Sequence, residues 1–245
     1  MRKPRPVSRK TIRALGRVTT PTITTLLFKE HGLRNVSIRD VWPCSPAACR
    51  FAGPAWTVRY LPLREDLKAL QLLDHRDNVV RRAVETIPAG SVAVLDANQR
   101  NDVGMLGGNL LMRMKACGVA GVVTDGGMRD IPEIAGIGIP VFVTAAAAPP
   151  SFTQLMAVDT GVPVSCGGVP VFPGDIVVGD AEGVVCVPAH LAASVAQAGL
   201  AMDHIEGYVQ QRLARGEPLA GLYPPGEQVR REFEAWVMAG EPPLD

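Results

Sequence analysis

Residues 107 to 130 constrain the fold more than any other stretch. Gly107-Gly108-Asn109-Leu110-Leu111 leads into a short amphipathic segment, Gly118, and the apolar run Val119 to Val123. The charged loop Asp125-Gly126-Gly127-Met128-Arg129-Asp130 follows. This order predicts a helix, a strand and a loop. Leu106, Leu110, Met114 and Cys117 recur at helical spacing. Asn109 is the candidate N-cap, and Gly118 the glycine that ends the helix. A helix over 110–117 is roughly 12 Å long at 1.5 Å per residue. A strand rising about 3.3 Å per residue is long enough to return past the helix start. The free N–H groups at Leu110 and Leu111 are therefore expected at the same rim as Arg129 and Asp130.

The rest of the chain reads as α/β. Thr20-Pro21-Thr22 starts a helix that runs to His31 and stops at Gly32. Ala55 to Leu61 alternates as a strand does, 77–86 reads as a helix, and Ser91 to Asp96 reads as a buried strand. Strands are expected over 119–124, 140–144, 162–166, 169–172, 176–178 and 184–187. Gly167-Gly168 is a hairpin turn between two Val-Pro-Val runs. Helical patterns return at 189–215 and 227–238, on either side of a Gly/Pro-rich break. The expected organisation is a basic flexible arm over 1–11, one domain over 12–225, and a C-terminal helical extension over 226–245.

Composition excludes several classes. A net charge of +1 gives no basic face for direct nucleic-acid binding. No apolar run reaches the roughly 18 residues of a membrane span. No acidic residue precedes Glu30, but Pro4 and Pro6 interrupt the amphipathic helix that a targeting peptide would need. The five cysteines form no CxxC pair and fit the reduced thiols of a cytoplasmic protein. Cys44 and Cys49 have no matching pair downstream, and the four histidines are scattered, so zinc is not expected.

Each candidate group has a chemical and a structural reading. Gly107-Gly108 before a helix gives an anion close access to backbone N–H groups, or simply a packing turn. It matches neither a Walker loop nor GxGxxG. Arg129 offers a planar fork for a carboxylate or ketone. Asp130 offers hard oxygen for Mg2+ or Mn2+. Alternatively the two form an exposed pair. Asp125, Asp175, Asp180 and Glu182 read as turn residues. Asp203 and Glu206, three apart, share a helix face that is either solvated or set to hold metal-bound water.

Two stretches together resemble the signature of the RraA-like family. They are Gly107-Gly108-Asn109-Leu110-Leu111-Met112-Arg113 and Gly118-Val119-Ala120-Gly121-Val122-Val123-Thr124-Asp125-Gly126-Gly127-Met128-Arg129-Asp130. Thr20-Pro21-Thr22, Gly53 to Arg59, Pro173 to Asp180 and Gly183 to Pro188 agree with it, so the likeness runs from about residue 12 to 225. The family includes 4-hydroxy-4-methyl-2-oxoglutarate/4-carboxy-4-hydroxy-2-oxoadipate aldolases and the regulators of ribonuclease E activity. The resemblance implies a ββα swivelling-domain fold of the phosphohistidine-domain type, with helical extensions at both ends. It also implies a homotrimer or hexamer with sites between subunits. By the same resemblance, Gly107, Gly108, Asn109 and Leu110 bind a small 2-oxo acid, Arg129 grips it, and Asp130 holds a divalent cation, Mg2+ or Mn2+. Glu206, or else Asp203, of a neighbouring subunit then acts on that cation through water.

One departure stands out. The aldolases carry an acidic residue, twenty residues, then Arg-Asp; here the acidic position is Gly108. Asp96 and Asp125 are the substitutes the sequence suggests. The expected activity is metal-dependent aldol cleavage or decarboxylation of a 2-oxo acid through a pyruvate enolate, with metal-bound water carrying the proton. The alternative is a non-catalytic regulator that binds a protein partner. Lys115 lies beyond the site, which argues against Schiff-base chemistry.

Overall fold

The computed structural model describes residues 6–67 and 78–242. The chain opens with α1 (Arg9–Leu15), whose N-cap Ser8 accepts a hydrogen bond from the Thr11 N–H at 3.1 Å. The basic stretch expected to be an arm is thus helical from Arg9. Next comes α2 (Thr20–His31), capped by Thr19, with Pro21 in its first turn and Gly32 at φ 68° closing it. Two short strands follow, β1 (Ser37–Ile38) and β2 (Trp42–Pro43), then the long β3 (Phe51–Pro62).

Three βα units come next: α3 (Val79–Thr86), β4 (Val92–Asp96), α4 (Gly108–Ala116), β5 (Gly121–Thr124), β6 (Gly127–Met128), α5 (Ile131–Ile137) and β7 (Val141–Val143). Asn78 caps α3, and residue 77, expected to open that helix, lies outside the described residues. The remaining strands are β8 (Ala145–Ala146), β9 (Leu155–Thr160), β10 (Val164–Cys166), β11 (Val169–Val171), β12 (Ile176–Asp180) and β13 (Gly183–Val187). Two helices end the chain, α6 (Ala192–Ala214) and α7 (Glu227–Met238).

Among the described residues, nine strands form one mixed sheet in the order β1-β13-β12-β3-β4-β5-β7-β2, with β9 also on β3. Strands β3, β4, β5 and β7 run parallel. Because helices and a hairpin cover both faces, these inner strands read as continuous apolar runs rather than alternating ones. Ala93, Leu95, Val122 and Val141 pack beneath α3, α4 and α5. Val92, Val94, Val123 and Phe142 pack on the other face against the β10–β11 hairpin. Both hairpin glycines have positive φ, 52° at Gly167 and 74° at Gly168, as a two-residue turn of this hand requires.

β3 is long enough to serve two partners along one edge. Its first residues pair with β12 and its last with β9, both antiparallel. Helices α1, α2 and α6 seal the β12–β13 end. α7 packs Phe233 and Trp236 on Tyr208 of α6. Among the described residues, no helix is long and apolar enough to cross a membrane.

Candidate active site at the start of helix α4

In a parallel sheet, the loops beyond the carboxyl ends of the strands are the usual place for ligands. The 97–107 segment leaves β4 there and delivers the start of α4, and the loop after β5 delivers Arg129 and Asp130. The helix begins two residues earlier than the sequence suggested. Gly107 is the N-cap and Gly108 the first helical residue, so Asn109 is not the cap. Leu111 is not free either: its N–H donates to Gly107 O at 3.2 Å. Among the described residues the open first-turn amides are those of Asn109 and Leu110.

Glycine has no side chain with which to cap, and a residue from elsewhere takes that role. Asp130 Oδ2 accepts a hydrogen bond from the Gly108 N–H at 3.0 Å. Two backbone features permit this contact. A Cβ on Gly107 would lie 2.6 Å from Asp130 Oδ2, so only glycine leaves room for the carboxylate. Asp130 itself sits in the left-handed region, φ 59° and ψ 32°, where Asp is tolerated but most residues are strained. It precedes α5 yet makes no side-chain cap there, its carboxylate turning to α4 instead.

Arg129 is fixed by its backbone, whose N–H donates to Leu106 O at 3.2 Å. Its side chain passes over Gly104, where a Cβ would also meet Ala147 O at 2.7 Å. Among the described residues no carboxylate pairs with the Arg129 guanidinium. Gly107, Gly108, Asn109, Leu110, Arg129 and Asp130 all line one cavity of about 380 Å³. The far wall carries Tyr60, Arg81, Ser151 and Phe152.

Tyr60 was not singled out from the sequence. It is 3% exposed, lines this cavity, and its hydroxyl has no hydrogen-bond partner among the described residues. Burial pushes its phenol well above the usual range, so it remains a neutral donor. Its inward place in an alternating strand was a readable signal, but the same signal marks any core tyrosine. Gly104 was also missed; an isolated glycine before a helix says nothing of the arginine that crosses it.

The other acidic candidates lie elsewhere. Asp125 is 3% exposed and accepts from the Ala97 N–H at 2.7 Å and the Gly167 N–H at 3.2 Å. Burial raises its carboxyl, against those two hydrogen bonds. Asp96 accepts from Asn98 and Ser165 N–H groups. Neither lines the cavity, so neither replaces the missing carboxylate at position 108. Asp175 and Asp180 hold turns and helix starts through backbone N–H groups, as expected of turn residues.

Asp203 accepts from the Thr19 N–H and Thr22 Oγ1, tying α6 to the start of α2. Glu206 lines a separate cavity with Val209, Leu213 and Tyr223. Desolvation, then the neighbouring Asp203 charge, raises its carboxyl, while Lys29 opposes. Within one chain neither residue faces the Arg129 cavity. Lys115 Nζ donates to Ile137 O, at the far end of α5, which removes it from the chemistry. Among the described residues no three His, Cys, Asp or Glu side chains converge as a metal cage.

This mixed α/β domain thus brings a glycine helix start, an arginine that no carboxylate pairs among the described residues, and an aspartate to one cavity. The family model RraA-like (Aldolase/RraA) matches residues 20–186, and the chain belongs to that family. A Halalkalibacterium halodurans protein provisionally named 4-hydroxy-4-methyl-2-oxoglutarate aldolase is 34% identical over 49% of this chain and 57% of its own length. Less than two thirds of that relative's length is therefore spanned. Streptomyces coelicolor RraAS2, an unusual member of the RNase ES inhibitor RraA protein family, is 28% identical with a TM-score of 0.74. It covers 85% of this chain and 99% of its own. A Pseudomonas syringae pv. tomato structure of unassigned function shares the fold, with 23% identity and a TM-score of 0.77. That match covers 89% of this chain and 99% of the other.

Proposed function

We propose that the protein is a divalent-metal-dependent lyase acting on a small 2-oxo acid. The reading covers aldol cleavage of a 4-hydroxy-2-oxo acid and decarboxylation of oxaloacetate. One observation carries it: the open amides of Asn109 and Leu110, the Arg129 guanidinium, which no carboxylate pairs among the described residues, and the carboxylate of Asp130 border a single cavity. Helix amides and a guanidinium suit the 2-oxo carboxylate.

The donor set suits Mg2+ or Mn2+, which bind through one or two carboxylates and keep several waters. The Gly107 cradle, filled by Asp130 Oδ2, leaves that carboxylate exposed at the rim. Asp130 would hold the cation, which when bound stabilises negative charge on the 2-keto oxygen. A homotrimer or hexamer would bring Glu206, or else Asp203, of a neighbouring subunit to the same cation through water.

The chain's own residues then do three things. Arg129 and the amides orient the acid so that the bond to be broken stands perpendicular to the ketone plane. Their charge and dipoles favour the enolate over the neutral acid. The apolar wall of Leu106, Phe152 and Leu155 limits water around C3. In aldol cleavage the C4 hydroxyl loses its proton and the C3–C4 bond breaks. C4 becomes a carbonyl, and C3 of the enolate takes up a proton. In decarboxylation CO2 leaves instead, and C3 is protonated in the same way. Among the described residues lining the cavity there is no His or Lys, so the protons come from water.

The test is turnover of oxaloacetate and of 4-hydroxy-2-oxo acids with Mg2+ or Mn2+, in wild type and in Arg129→Ala. Turnover that needs both the metal and Arg129 is the expected result; equal rates in the two proteins would remove Arg129 from the mechanism. A second reading, a regulator that binds a protein partner, draws on Gly108 standing where the aldolases have an acid and on the name of the Streptomyces relative.

A further inference from the structure

One buried group at the cavity is explained neither by the packing of the core nor by the grip at α4. The ring of Tyr60 belongs to the apolar cluster that holds Val58, Ala83 and Leu155. A phenylalanine would fill that role; the hydroxyl is what needs a reason. It is buried on the far wall and has no hydrogen-bond partner among the described residues. A buried hydroxyl without a partner costs stability, and such groups are few in folded proteins. Asn78, equally buried on that wall, is engaged by the fold: its Oδ1 accepts from the Arg81 N–H at 3.1 Å and so caps α3. The strand pairing is also irregular here. Arg59 pairs with Asp159 of β9 but Tyr60 with Ala157, which leaves Val158 as an extra residue. A bulge of this kind re-aims side chains, and bulges gather beside active sites.

The cavity has room to spare beyond the grip. Its volume of about 380 Å³ falls in the range of roughly 300–1,000 Å³ for pockets that enclose whole small ligands. A 2-oxo acid held through C1 and C2 by Arg129 and the α4 amides directs its remaining carbons to the opposite wall. We propose that Tyr60 determines specificity there, by donating its hydrogen bond to an oxygen on C4 of the bound acid. The inference rests on the 2-oxo acid reading above and adds a requirement to it: an acid with no oxygen on C4 leaves the phenol without a partner and binds less well. In oxaloacetate that oxygen belongs to a carboxylate. In aldol cleavage it begins as the C4 hydroxyl and ends as the product carbonyl. Its proton passes to water as the C3–C4 bond breaks, while the Tyr60 O–H stays bonded to the same oxygen and transfers no proton. Burial keeps the phenol protonated throughout.

The test uses two ligands that aldol chemistry cannot cleave, because nitrogen replaces C3. N-acetyloxamate carries an oxygen on the atom that stands for C4; N-ethyloxamate carries none. Their affinities are read by calorimetry with Mn2+ present, in wild type and in Tyr60→Phe, beside oxalate, which ends before C3. In Tyr60→Phe the ratio of the two affinities should shift against N-acetyloxamate by about 2- to 10-fold, the effect of one neutral hydrogen bond, with oxalate still bound. An unchanged ratio, with oxalate bound by both proteins, would overturn the role of Tyr60 and leave the 2-oxo acid reading standing. Absence of oxalate binding by wild type at saturating Mn2+ would overturn both.

Discussion

Asp130 bears two burdens, a strained backbone and a cap on another helix, and three substitutions separate them. Asparagine keeps an acceptor for the Gly108 N–H and tolerates the left-handed region; it loses only the charge at the helix start, about 0.3–1 kcal/mol. Glycine relieves the backbone at φ 59° but abandons the bond, and loss of a cap costs about 0.5–2 kcal/mol. Alanine loses the same bond and must also hold the left-handed conformation, a further cost of about 1–2 kcal/mol. The expected order of stability is therefore wild type, Asn, Gly, Ala, with Ala about 2–3 kcal/mol below wild type. For a chain of this size each kcal/mol lowers the melting temperature by about 2–4 °C. Ala should melt about 5–10 °C below wild type, and Asn within about 3 °C of it. Thermal unfolding with chelator present reads this without any contribution from bound cation. Equal losses in Asn and Ala would refute the cap in trans and the strain together. A Gly variant less stable than Ala would refute the strain alone.

Tyr60→Phe removes a buried hydroxyl that has no partner among the described residues. Stability by urea denaturation should be unchanged or higher by about 1 kcal/mol, while KM for the 2-oxo acid rises; a clear loss of stability would mean the hydroxyl is already satisfied. Glu206 titrates in the opposite sense to a stabilising carboxylate. Its raised value means that proton binding favours the folded state, a gain that grows as pH falls through that value and levels off below the ordinary 4.5. Glu206→Gln should therefore have its largest relative stability near pH 7 and lose that advantage toward pH 4.5. A pH-independent difference would contradict the burial of this carboxyl.

Elements whose signals are local were readable from sequence. Helix α2 has its threonine cap, its proline and its terminal glycine; α7 and the Gly167-Gly168 turn were equally plain. The inner strands were legible as apolar runs because both faces are covered. Elements that depend on distant partners were not. β9 shows weak alternation and exists because the far half of β3 offers it an edge. The start of α4 was misplaced because its cap comes from Asp130, twenty-two residues on, whereas Asn109 looked like a cap by local chemistry. Helix α5 was not read from the sequence, although Pro132 sits in its first turn. That signal was eclipsed by the Arg-Asp pair beside it. Leu110, Arg129 and Asp130 do line one cavity, but Leu111, expected with them, lies outside it and its N–H is bonded to Gly107 O.

The central claim is that Arg129 and the α4 amides grip a 2-oxo carboxylate beside a cation. Oxalate mimics the planar enolate of pyruvate, so its calorimetric titration into protein with Mn2+ measures that grip without turnover. Saturable heat in wild type, dependent on Mn2+ and lost in Arg129→Ala, is the predicted result. Oxalate binding that is equally strong in Arg129→Ala, or absent from wild type at saturating Mn2+, would contradict it.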